Sequence, residues 1–249
     1  MLGAPKPRRT ANLAKSLDKK LNLYTLAARA NCGLTYAAGV GVVGAAVMSL
    51  APVAEAKIVY TPAHVRIPPN QYFLFDFDNL PKTTDADFLL ARGSECRSSG
   101  CASGVGAVGY NTHTSYPNAV AATAQGPYAV ALRPGERMGP HRRVRVGVQM
   151  AFVAYAPLSH KTVWRGQWAN GGKGLKNGYL GLKFVLDGKV HYGWARVSLT
   201  VKNNWFDTET LTGYAFETIP NKPIIIGKTH GPDVIVRPAT LGDLAAGRR

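Results

Sequence analysis

Lys183, Tyr192, Trp194 and Arg196 fall within one stretch, "GLKFVLDGKVHYGWARV", and their types suit an acidic sugar. An aromatic ring can stack on the apolar face of a pyranose, and a cation can hold its carboxylate. The same residues also have a structural use, because a tryptophan placed opposite Gly181 can lie over bare backbone and protect it. A second cluster, "FDFDNLPKTTDAD", brings Asp76, Asp78, Asp85 and Asp87 close together, as in an extracellular calcium loop. Calcium takes six to eight oxygens and usually a glycine at the turn. Leu80-Pro81 stands where that turn would be, so a solvated turn with no ion is the other account, and Asp76, Asp78 and Asp85 are the calcium candidates.

Cys96 and Cys101 in "ECRSSGC" suit a small disulfide-closed loop in an oxidising compartment. Zinc would need two more ligands, and the histidines are scattered singly. Other chemical signatures fail on context. "GVGVVG" at 39–44 lies in a leader-like segment, and "GVGAVG" at 104–109 is followed by "YNTHTSYP" rather than by a helix that could hold a pyrophosphate. No Gly-x-Ser-x-Gly elbow occurs. Glu136, Asp207, Glu209 and Glu217 could serve acid/base chemistry on sugars only if two met about 5 to 10 Å apart across a cleft. His113, His141, His160 and His191 have no sequence neighbour that marks a catalytic base. No catalytic residue is assigned.

These residues need elements to position them. From Lys57 onward, short apolar runs are punctuated by Gly, Pro and Asn with little helical periodicity, which predicts an all-β fold: an antiparallel, jelly-roll-like β-sandwich in one domain over 57–236. The clearest element is a hairpin. Asp187-Gly188 suits a two-residue turn whose positions both take positive φ. Counting outward pairs Phe184 with His191, Leu182 with Gly193 and Leu180 with Ala195, so Leu180, Leu182, Phe184, Ala195, Val197 and Leu199 share the core face. Tyr192, Trp194, Lys183 and Arg196 fall on the opposite face. Residues 93–127, dominated by Gly, Ser, Ala, Asn and Thr, read as a long loop over one end of the sandwich. Residues 143–156 read as a single strand.

The first 56 residues read as a signal peptide. Seven Lys and Arg precede an uncharged run at 33–50, and Ala54-Glu55-Ala56 offers a small-x-small cleavage site. An uncleaved anchor is the alternative, since the run approaches the ~20 residues that span a bilayer. The expected location is extracellular or periplasmic, with no membrane span in the mature chain. Without the leader, 23 basic residues face 12 acidic ones, a net +11. Such charge draws anionic partners, above all acidic polysaccharide or another surface glycan, by long-range attraction that salt weakens. For nucleic acid it predicts non-specific binding only.

"GYLGLKFVLDGKVHYGWARVSL" followed by "LTGYAFETIPNKPIIIG" resembles the C-terminal half of secreted bacterial proteins of the PEP-CTERM type, over about residues 178–227. That resemblance implies export to the cell surface or its polysaccharide matrix on a β-sandwich, with no catalytic residue to carry over. The segment at 237–249, ending "ATLGDLAAGRR", is read as a short basic tail that departs from the family's sorting tail. Together these features predict a secreted, non-enzymatic sandwich for surface or matrix interaction. A glycan-active enzyme on the same fold, or a non-specific binder of anionic polymer, is the alternative.

Overall fold

The structure, a computed structural model, describes residues 57–77, 86–110 and 118–237. The leader, Asp78, Asp85, His113 and the segment after Arg237 lie outside the described residues. The strands in chain order are β1 (Ile58–Ile67), β2 (Gln71–Phe75), β3 (Phe88–Arg97), β4 (Gly100–Gly109), β5 (Ala119–Ala121), β6 (Arg137–Met138) and β7 (Val144–Arg145). They continue as β8 (Gly147–Ala156), β9 (Lys161–Arg165), β10 (Leu175–Leu186), β11 (Lys189–Lys202), β12 (Trp205–Glu217), β13 (Ile224–Ile225) and β14 (Val234–Val236). A seven-stranded sheet runs β14-β1-β12-β11-β10-β5-β7, and a five-stranded sheet runs β2-β3-β4-β8-β9. Strand pairing within these sheets is antiparallel except between β1 and β14. The fold is an all-β sandwich.

One apolar cluster joins the facing sides of the two sheets. Phe75, Phe88 and Val153 enter it from the five-stranded sheet, and Leu182, Val197 and Tyr214 from the seven-stranded one. The hairpin carries the expected register: Leu186 opposes Lys189, Phe184 opposes His191 and Leu180 opposes Ala195. Asp187 and Gly188 both take positive φ at its turn (51° and 72°). Because side chains alternate along a strand, that register sends Leu180, Leu182 and Phe184 inward together.

The expected loop at 93–127 is corrected. Residues 93–97 complete β3, residues 100–109 form β4, and 119–121 form β5 in the other sheet. A half-buried strand needs bulk on one face only. On β4 the inward Val105 and Ala107 are buried, while Gly104 and Gly106 alternate with them on the outer face. Composition dominated by small residues therefore concealed an ordinary two-faced strand. Residues 143–156 are corrected as well: β7 lies in the seven-stranded sheet and β8 in the five-stranded one, so the chain changes sheets at Val146.

A third layer covers the outer face of the seven-stranded sheet. It is a strap over 129–145 with the ribbon β6–β13, and Leu132, Met138, Ile224 and Ile226 from it are buried against that sheet. Gly181 permits the close approach. A Cβ there would stand 2.8 Å from both Leu132 Cδ1 and Met138 Sδ.

Among the described residues, no helix is long and apolar enough to cross a membrane.

Candidate functional site

Of the hairpin residues read as a sugar platform, the two rings lie under the strap. Trp194 is 0% and Tyr192 3% exposed. The Trp194 ring packs against Tyr60 and Tyr179, with centroids 5.7 and 5.2 Å away. Its place opposite Gly181 holds, yet the strap rather than the indole fills the space above that glycine. Arg196 acts as a bracket: its Nε donates to Thr212 Oγ1 (2.8 Å), and its Nη2 donates to the Thr212 carbonyl and the Tyr60 hydroxyl. Lys183 stays half-buried opposite Tyr192. The exposed platform is therefore corrected. A third layer supplies the cover that two large rings require.

The strap itself is two-faced. Leu132, Met138 and Val144 point into the second apolar cluster, whereas Arg133, Arg137, His141, Arg143 and Arg145 are exposed. Backbone bonds fix the segment: Gly135 N–H donates to the Ile226 carbonyl, and Ile226 N–H to the Glu136 carbonyl. Glu136 is its one carboxylate, and it pairs with Arg142 at 2.5 Å. Of the five arginines in the thirteen residues 133–145, four thus face outward, and the fifth, Arg142, is held in the internal ion pair with Glu136. Sequence reasoning missed this arc. The signal was the density of arginine, which has no periodicity because the segment is mostly turns.

A second candidate lies at one end of the sandwich. Cys96 opposes Cys101, Cys101 opposes Tyr155, and Tyr155 opposes Thr162, forming one cross-strand row over β3, β4, β8 and β9. With Asn203, Asn204 and Trp205 at the β11–β12 turn, these residues line a cleft of about 380 Å³. Cys96 and Cys101 are joined as a disulfide with Cα atoms 4.0 Å apart. The bond closes the β3–β4 hairpin tip rather than a loose loop. Reduction is expected to speed amide exchange at that tip and to cost about 2 kcal/mol, since so short a ring constrains few residues. Cooperative unfolding of the whole domain on reduction would contradict this placement.

The carboxylates do not meet in the cleft. Glu217 accepts from Ile219 N–H (3.1 Å) and pairs with Lys222 (3.3 Å). Asp207 is exposed and accepts from Thr208 Oγ1 (3.0 Å). Glu209 points into the core between Ile67 and Leu199, and neither carboxylate oxygen has a hydrogen-bond partner among the described residues. Burial pushes its carboxyl up to about 8, with the charge of Arg92 pulling the other way. Arg92 enters from the opposite sheet, 5% exposed, and donates through Nη1 and Nη2 to the Asp207 and Phe206 carbonyls, while its Nε has no partner among the described residues. His191 is also structural, with Nδ1 2.9 Å from the Glu217 carbonyl.

Of the calcium candidates only Asp76 is described. Its neighbour Asp87 is a clamp, accepting from Phe77 N–H (3.0 Å) and Asn118 Nδ2 (2.9 Å). Among the described residues no three His, Cys, Asp or Glu side chains come together as a metal site would require. Comparison with known protein families, with curated proteins and with solved structures finds no match.

Proposed function

We propose that this chain is an exported, non-enzymatic β-sandwich that holds acidic polysaccharide at the cell surface or in its matrix, through the arginine arc at 133–145. The observation that supports it most is the outward set Arg133, Arg137, Arg143 and Arg145 on a strap whose other side is buried. A guanidinium meets a carboxylate or sulfate through two parallel hydrogen bonds, so anchored arginines favour a polymer that repeats such groups. Export rests on the leader-like segment and on the resemblance at 178–227. The proposal does not extend to glycan hydrolysis, because Glu136 and Glu217 are paired and Glu209 is sealed in the core.

The test replaces Arg133, Arg137 and Arg145 by Gln together. These three side chains hold nothing in the fold, whereas Arg143 donates to the Ala124 carbonyl and Arg142 ties Glu136. Three exposed contacts at roughly 0.5–1 kcal/mol each predict at least about tenfold weaker retention on polygalacturonate, with a shallower salt dependence. Unchanged retention would remove the arc from the proposal. Equal retention of sheared DNA by the wild type would reduce it to binding by charge alone.

A further inference from the structure

We infer that the end cleft between the Cys96–Cys101 disulfide and the Asn203–Asn204 turn is a second binding site, for one uncharged sugar unit. It goes beyond the arginine arc in place and in chemistry. The cleft forms because the two sheets outrun their core. Inward positions of the five-stranded sheet end in a row of Cys96, Cys101, Tyr155 and Thr162, none of which belongs to the apolar cluster between the sheets. What faces the row is the tip of the longest hairpin, Asn203-Asn204-Trp205.

The chemistry of the lining selects the ligand. Tyr155 is 36% exposed, Trp205 is half-buried, and between them lies the apolar surface of a disulfide. Around these surfaces stand polar groups that the protein does not use: the Asn203 and Asn204 amides and the Thr162 hydroxyl make no hydrogen bond among the described residues. A pyranose has the complementary character, with C–H faces that stack on rings and a rim of hydroxyls that both donate and accept. Side-chain amides, which also do both, match that rim. No charged residue lines the cleft among the described residues, so it offers nothing to pay for desolvating a carboxylate or an ammonium group. Its size falls at the low end of the ~300–1,000 Å³ of small-molecule pockets.

The turn adds to the case. Asn203 and Asn204 both take positive φ (52° and 59°), and the second such position ordinarily favours glycine. Asparagine there costs some stability and keeps an amide at the mouth of the cleft. The backbone that carries these groups is also held in place before any ligand arrives: β11 and β12 are paired up to Lys202 and Trp205, and the disulfide closes the other side. Preorganisation of this kind is what allows a small ligand to bind measurably.

The experiment titrates isotope-labelled protein with the methyl glycosides of glucose, galactose, mannose and N-acetylglucosamine, and with galacturonate as the charged contrast. The readouts are the Trp205 indole and the Asn203 and Asn204 side-chain amide resonances. At least one neutral glycoside should shift them saturably, with a dissociation constant on the order of 1 mM. Asn203→Gly with Asn204→Gly keeps the left-handed turn and removes both amides, and Thr162→Val keeps shape and removes the hydroxyl. Each should weaken that binding at least about tenfold while the fold's other resonances stay in place. The triple arginine variant should bind the glycoside like the wild type, so failure of the arc and failure of the cleft give different results. No saturable shift with any neutral glycoside, or equal binding of galacturonate at these resonances, overturns the inference.

Discussion

A Glu209→Gln variant is expected to be more stable than the wild type at pH 8 to 9, by up to about 5 kcal/mol, and to lose that advantage near pH 4. Glu209 is fully buried between Ile67 and Leu199, and its carboxyl is pushed up to about 8 by burial. Below the ordinary carboxylate range both the folded and the unfolded chain carry the proton, so the group has no pH effect. Between that range and about pH 8 the unfolded chain gives up the proton while the folded chain keeps it. The folded state then binds more protons, and stability falls by roughly 1.4 kcal/mol per pH unit. Above about pH 8 both states are ionised and the loss levels off. Glutamine mimics the protonated acid at every pH. The variant's stability minus that of the wild type should therefore rise across this window, and the other titrating groups cancel in the difference.

Other charges close to Glu209 set how large that difference becomes. Arg92 comes from the facing sheet, Asp207 lies two residues away, and Arg66 acts in turn on Arg92. Arg92 lowers the cost of ionising Glu209, but burial outweighs it. The two side chains do not close to ion-pair distance, because the guanidinium is engaged by the Phe206 and Asp207 carbonyls. Urea unfolding of both proteins at steps from pH 4 to 9 measures the effect. Parallel stability profiles would mean that Glu209 is ionised in the folded state, and hence reached by water or a closer cation.

Residue types alone made Glu209 one of several candidate acids, since a carboxylate in a sequence does not disclose which way it points. Along β12 the alternation is broken: Thr200 opposes Thr208 while Val201 opposes Phe206, so Asp207 is an extra residue and the faces shift around it. A bulge of this kind cannot be counted from sequence. Where alternation is unbroken and the turn is specified, as from Leu180 through Asp187-Gly188 to Ala195, the register was legible to the residue. The same logic reached the right two faces of the hairpin and then the wrong environment for one of them. A strand pattern distinguishes its faces but does not say that a segment such as 129–145 returns to cover the second.

The covering layer also explains why the arc was invisible in the sequence, and long-range sheet packing why the cleft was. Arginines at 133–145 share a surface only because Leu132, Met138 and Val144 hold the segment down on Tyr192 and Trp194. The cleft joins the 96–101 hairpin tip to the 203–205 turn, which are far apart in sequence and near only through the pairing of two sheets. Cys96 and Cys101 were the exception, because their bond needs only a local hairpin.

Trp194→Ala is expected to cost about 3–5 kcal/mol, the range for emptying a fully buried large aromatic site. Its ring is 0% exposed and sits between Tyr60 and Tyr179 under Leu132 and Met138, so neighbours on all sides would have to move to fill the space. Trp194→Phe should cost less, under about 2 kcal/mol. It keeps a ring in the cluster and removes an indole N–H that has no partner among the described residues, so lost packing is partly offset by a relieved polar group. Retention on polygalacturonate should follow the folded fraction alone in both variants, because the arginines stand one layer above the indole. The decisive comparison is therefore stability against binding in the same samples. A Trp194→Ala protein with an unchanged unfolding midpoint and no retention would falsify the buried placement, and would return the ring to the surface as a direct contact for the polymer.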